Sequence, residues 1–120
     1  MNNKYDKTNI FSKILRSEIS FQKVLENDYA LAFLDINPQA PIHILIIPKN
    51  KYIDFYDFTE NGSLEETISF WKLVNDVINK KNISDSGFRI ITNSGKDGNQ
   101  DVQHFHVHLL GGQNLGKMVN

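Results

Sequence analysis

Apolar residues recur along this chain with two periods, and the places where one period gives way to the other mark the elements. Ile10, Phe11, Ile14 and Leu15 fall at helical spacing behind Thr8 or Asn9, either of which can cap a short helix. Phe21 to Glu26 and Tyr29 to Asp35 read as strands joined by a tight turn at Asn27-Asp28, a hairpin. Asn37-Pro38-Gln39-Ala40-Pro41 is a rigid connection whose prolines cannot donate to a ladder. Ile42 to Ile47 is a nearly continuous apolar run broken by one histidine and stopped by Pro48, which predicts a central strand. Lys49 to Glu60 is mixed and receives no assignment. Ser63-Leu64-Glu65-Glu66 has capping-box spacing, and Leu64, Ile68, Trp71 and Ile78 then recur on one helical face with Val74 beside them. This long helix is expected to end near Lys80-Lys81-Asn82, where lysines suit the negative end of the helix dipole. Phe88 to Asn93 and Val102 to Leu110 read as the last strands. The sum is an α+β domain with about five strands in a mainly antiparallel sheet and two helices.

Composition narrows the class. A chain of 120 residues is the usual size of one domain, and 1–120 is read as such, with the polar residues 1–7 expected to fray. Hydrophobic residues make up 40% and charged residues 22%, ordinary for a globular fold with its own core. The formal net charge of −1 gives no bulk attraction to nucleic acid or anionic membrane. The absence of cysteine excludes disulfides and thiolate metal sites. Met1 to Ser20 holds no continuous apolar segment and no run spans a bilayer, so the cytoplasm is the expected location.

The chemistry concentrates in Gln103-His104-Phe105-His106-Val107-His108-Leu109-Leu110, which holds three of the four histidines. In a strand, residues spaced by two share a face, so His104, His106 and His108 would line one side and Phe105, Val107 and Leu109 the other. The apolar side can pack on a core. The histidine side must border water, a ligand or a polar network, because unpaired buried imidazoles are costly. Three readings fit: a surface strand that happens to carry histidines, a metal site with His43 or Asp101 adding a ligand, or a nucleophilic imidazole whose neighbours orient it and protonate a leaving group.

His-x-His-x-His followed by two apolar residues and Gly111-Gly112 resembles the signature of the histidine-triad (HIT) family. Other segments are similar to that family in order and spacing. They are Ile10-Phe11-Ser12-Lys13-Ile14, Asp35-Ile36-Asn37-Pro38-Gln39-Ala40-Pro41-Ile42-His43 and Asn93-Ser94-Gly95-Lys96-Asp97-Gly98-Asn99-Gln100. The likeness runs from about Asn9 to Met118 and resembles the Hint-like branch, the purine nucleoside phosphoramidases. It implies a hydrolase that cleaves the P–N bond of purine nucleoside 5′-phosphoramidates, without cofactor or metal, as a homodimer. Dinucleoside-polyphosphate hydrolysis, and a nucleotide-binding scaffold with vestigial catalysis, are the alternatives.

The resemblance also implies roles. His106 attacks the α-phosphorus, forming a nucleotidyl-histidine that water then cleaves. His108 contacts the phosphate or protonates the leaving group, His104 organises the strand, and His43 completes the network. Asp35 accepts from the ribose hydroxyls and Asn93 contacts the α-phosphate. Gln100, Asp101 and Val102 border the site. Phe11 and Ile36, with Ile14, Phe33 and Leu34, are candidates for the purine pocket. The chain departs from the pattern in two places. Asp101 stands where some relatives carry serine, which suits a cationic leaving amine, since a carboxylate can only accept. Asn9, Ser12 and Lys51 stand where some relatives ligate a structural zinc, so none is expected here.

Overall fold

The computed structural model describes residues 4–119. Its centre is a five-stranded sheet formed by β1 (Lys23–Glu26), β2 (Ala30–Leu34), β3 (Ile42–Pro48), β4 (Phe88–Ile91) and β5 (Val107–Gly111), in the order β1-β2-β3-β5-β4 with every neighbouring pair antiparallel. The apolar run in β3 follows from this order, because the strand is central and covered on both faces. Ala30, Ala32, Ile44 and Ile46 pack on one side with Val107 and Leu109. Leu31, Phe33, Leu45 and Ile47 pack on the other.

Each face has its own helix. α1 (Ile10–Leu15) starts where the Asn9 side chain accepts the Ser12 amide, and it lays Phe11 and Ile14 on Leu31, Phe33 and Leu45. The opposite face carries α2 (Phe55–Asn61) and α3 (Leu64–Lys80). The expected capping box is present: Ser63 accepts the Glu66 amide and Glu66 accepts the Ser63 amide, both at 3.0 Å. Two of the four N-terminal donors of α3 region are thus satisfied before packing begins.

Two expectations about the helices need correction. The buried face of α3 is Phe70, Leu73, Val74, Val77 and Ile78, rather than the one drawn through Leu64, Ile68 and Trp71. Leu64 is 76% exposed and Ile68 54% exposed, while Trp71 only flanks the core. At 100° per residue the set 70-73-74-77-78 forms one stripe, and 64, 68 and 71 lie roughly a quarter-turn or more to one side of it. α3 therefore has two apolar faces, and among the described residues the one through Leu64 and Ile68 is left largely uncovered. The second correction is the third helix, α2, in the segment left unassigned. It is one short helix with a single fully buried side chain, Phe58, too little periodicity to register in sequence.

The last strand also begins later than expected, at Val107 rather than Val102. Residues 102–106 keep the alternation of sides but lie outside the ladder. The Phe105 amide donates to the Tyr52 carbonyl at 2.7 Å, and the His104 carbonyl is taken by a side chain. The Phe105 amide and the His104 carbonyl are thereby committed away from a neighbouring strand.

Candidate active site

The histidines converge because of register. His108 pairs with Leu45 across β3 and β5, so it faces the α1 side of the sheet. His43, two residues before Leu45 on β3, faces the same way. His106 and His104 continue that side beyond the ladder, while Phe105 turns into the α3 core. The Phe11 ring from α1 closes edge-on over His106 at a centroid distance of 4.9 Å.

Hydrogen bonds fix each ring's proton. His106 donates Nδ1–H to the His104 carbonyl at 2.7 Å, which leaves the Nε2 lone pair free. That carbonyl's segment is held in turn, since the His104 ring donates Nε2–H to the Pro48 carbonyl at 2.9 Å. His104 Nδ1 lies 2.6 Å from the Tyr5 hydroxyl, which also bonds Ser12. On the other side of the site, the Gln39 amide donates to His43 Nδ1 at 3.0 Å, so the His43 proton sits on Nε2. Nε2 lies 2.9 Å from His108 Nδ1 and 3.3 Å from Asp35 Oδ2. The shorter bond makes His108 Nδ1 an acceptor and puts the His108 proton on Nε2. Asp35 is oriented by accepting the Asn37 amide at 2.8 Å.

The other expected residues fall in two groups. Phe11, Ile14, Phe33, Leu34, Ile36 and Val102 line one cavity of about 190 Å³, with Asp35 and Asp101 at its polar edge. Ile36 is 83% exposed and forms part of its rim. Asp101 Oδ1 lies 3.6 Å from His106 Nε2. Asn93 and Gln100 instead brace the intervening loop. Asn93 donates to the Gly98 carbonyl, while Gln100 donates to the carbonyls of Ile53 and Val102 and accepts the Gly95 amide. Asp35, His43 and His108 bring one ligand atom each within 4.8 Å of one another, a set able to hold a metal ion. Asn9 Oδ1 and the Ser12 hydroxyl are engaged in hydrogen bonds, and Lys51 is exposed. Sequence reading missed Tyr5, the one aromatic in a polar opening segment, and Thr92, whose hydroxyl donates to the His106 carbonyl at 2.8 Å. It also missed the main-chain partners, which no residue type reveals.

Burial lowers the basicity of all four histidines. His104 and His108 fall to about 4, in both cases chiefly by loss of solvent and further by the neighbouring His106. His106 and His43 move the same way, burial outweighing the attraction of nearby carboxylates. The site is therefore neutral in its imidazoles near pH 7 and below. Above about pH 6.5 the rings are neutral in the folded and unfolded chains alike. As the pH falls from there toward about 4, the unfolded chain binds protons that the folded rings refuse, and stability is lost through that window. Urea midpoints should be level between about pH 7 and 8 and fall steeply between about pH 6 and 4.5. Equal midpoints at about pH 7.5 and pH 5 would contradict buried neutral histidines.

Comparison with known proteins agrees with this geometry. The HIT domain family model matches residues 16–115. An HIT-like protein of Azospirillum brasilense is 46% identical over 115 residues, covering 96% of this chain and 94% of its own length. The purine nucleoside phosphoramidase of Escherichia coli (strain K12) is 40% identical over 113 residues, covering 92% of each chain. Among solved structures, an HIT family hydrolase from Clostridium thermocellum superposes with a TM-score of 0.86 at 35% identity, over 95% of this chain and 98% of that one. A histidine triad protein from Clostridium difficile gives 0.84 at 38% identity, over 98% of both. On the register that gathers its histidines, the family model that matches most of its length and relatives at these identities, this chain belongs to the histidine-triad (HIT) family.

Proposed function

We propose that the protein is a nucleotide hydrolase that cleaves the P–N bond of purine nucleoside 5′-phosphoramidates. The observation that carries this reading is the tautomer of His106. A buried, neutral imidazole with Nδ1–H tied to a carbonyl presents a free Nε2 lone pair beside an apolar cavity. The purine fills that cavity against Phe11, Phe33 and Ile36, and Asp35 accepts from the ribose hydroxyls. His106 Nε2 attacks the α-phosphorus and the P–N bond breaks. The departing amine accepts a hydrogen bond from His108 Nε2–H, a donor that His43 holds in place across the 2.9 Å contact, and takes its proton from solvent. Water then attacks phosphorus and frees His106. Asn93 and Gln100 support this by holding the loop over residues 94–101 so that its amides border the phosphate. Among the described residues no lysine or arginine lines the cavity, which suits an uncharged purine base there.

The protein works as a homodimer. Two unused apolar surfaces support this: the Leu64 and Ile68 flank of α3, and β4, an edge strand with Phe88 and Ile90 partly exposed. Sedimentation equilibrium should give twice the 13.8 kDa chain mass, and a monomer at high concentration would refute the assembly.

The hydrolase reading is tested by incubating the protein with adenosine 5′-phosphoramidate and EDTA and following AMP. Turnover that survives the chelator is expected, and faster than on diadenosine polyphosphate. No turnover would favour a binding module, and loss with EDTA would favour a metal at Asp35, His43 and His108.

A further inference from the structure

Asp101 differs from the rest of the site in lying open to solvent. Its side chain is 80% exposed, whereas the His106 ring it faces is buried. The carboxylate is nevertheless held in place: Oδ1 accepts the Val102 amide at 2.9 Å and sits 3.6 Å from His106 Nε2. Among the described residues, its only partner of opposite potential charge within 4 Å is that ring, which burial keeps neutral. The charged groups that bear on His106 are Asp101 and Asp35, both negative. A phosphoryl group entering beside His106 meets these two carboxylates, an arrangement that disfavours a substrate carrying only negative charge. The balance changes when the substrate brings its own cation.

Building on the hydrolase reading, we propose that Asp101 selects phosphoramidates whose leaving amine carries a second, protonated nitrogen. The amine departs in line, on the far side of phosphorus from His106 Nε2. A charge next to the scissile nitrogen is therefore out of reach, whereas an ammonium about five carbons away can turn back to the carboxylate at the mouth. The bonds made and broken are those of the hydrolysis itself: N–P forms at His106, P–N breaks, and the distal ammonium keeps its proton throughout. Asp101 remains exposed to water until the leaving group covers it, so the attraction is moderate and sensitive to salt.

The test uses three adenosine 5′-phosphoramidates of nearly equal length, built on hexylamine, 1,5-diaminopentane and 6-aminohexanoate. At low ionic strength kcat/KM should run cation, neutral, anion, with roughly tenfold between the first two. The spread should narrow at about 0.5 M salt. Asp101→Asn should bring the three close together, and Asp101→Lys should reverse the order. Equal kcat/KM in the wild type overturns the proposal, as does an order that persists in Asp101→Asn, which would assign the preference to Asp35. A wild type that cleaves none of the three refutes the hydrolase reading instead. Dissociation constants for the same compounds then decide the role of Asp101 separately: the same charge order upholds it and equal values overturn it.

Discussion

Replacing His106 with asparagine is expected to lower kcat on adenosine 5′-phosphoramidate by at least about a thousandfold, roughly 4 kcal/mol of barrier. The size of the loss follows from what asparagine keeps. Its amide nitrogen can still donate to the His104 carbonyl, which accepts from His106 Nδ1 at 2.7 Å in the wild type. Its carbonyl oxygen is then aimed toward the cavity, where it can accept a hydrogen bond but cannot bond to phosphorus. The fold, the apolar cavity and Asp35 are untouched, so AMP affinity should change by no more than a few-fold. A variant that binds AMP and turns over at even a tenth of the wild-type rate would remove the nucleophile from His106. Loss of AMP binding together with turnover would instead point to a collapsed site, which the urea midpoint would reveal.

Phe105→Ala should produce the largest loss of stability. Phe105 is completely buried and touches three other rings: it stacks on Phe58 at 4.9 Å and lies 5.1 Å from Phe70 and 6.0 Å from Phe55. Phenylalanine-to-alanine changes in such cores cost about 3–5 kcal/mol, part lost transfer energy and part cavity. Against a total stability of about 5–15 kcal/mol this is a large share, and the urea midpoint should fall accordingly. Phe105→Leu should cost clearly less, because it refills most of the space. The effect should reach the chemistry as well. Residues 102–106 lie outside the β ladder, so Phe105 is the apolar anchor between His104 and His106, and its loss should lower kcat even where the variant remains folded. A Phe105→Ala protein within about 1 kcal/mol of the wild type would show that the ring cluster is not what holds this segment.

What could be read from the sequence followed how locally each feature is determined. The alternation of His104, Phe105, His106, Val107 and His108 placed the imidazoles on one side and the apolar residues on the other, and the structure has that division. It did not reveal that the first half of the segment leaves the ladder, where the His104 carbonyl is taken by the His106 ring and the Phe105 amide by the Tyr52 carbonyl. The five antiparallel strands and the Ser63 cap were legible from short-range signals. The buried face of α3 was not. A helix with apolar residues over much of its circumference offers two stripes, and only the position of the sheet selects Phe70, Leu73 and Val77 over Leu64 and Ile68. Phe11, Ile36 and Val102 line one cavity, whereas Gln100 spends its amide on main-chain partners, a use invisible without the fold. Tyr5 reaches His104 across a separation of 99 residues, and nothing in its neighbourhood announces it.

The bond from the Gln39 amide to His43 gives the imidazole pair a direction. An amide N–H has no second protonation state near neutral pH, so it can donate and never accept. His43 Nδ1 is thereby kept as an acceptor, His43 Nε2 as a donor, and His108 receives on Nδ1 and offers its own proton outward from Nε2. Moving the His43 proton to Nδ1 would set a hydrogen against the amide hydrogen and a lone pair against Asp35, and both arrangements repel. The connection from Asn37 to Pro41 carries no ionisable group and makes no contact a chemist would call catalytic. Its prolines nevertheless hold one main-chain hydrogen in place, and that hydrogen polarises the whole pair toward the bound leaving group, as a fixed chain of dipoles.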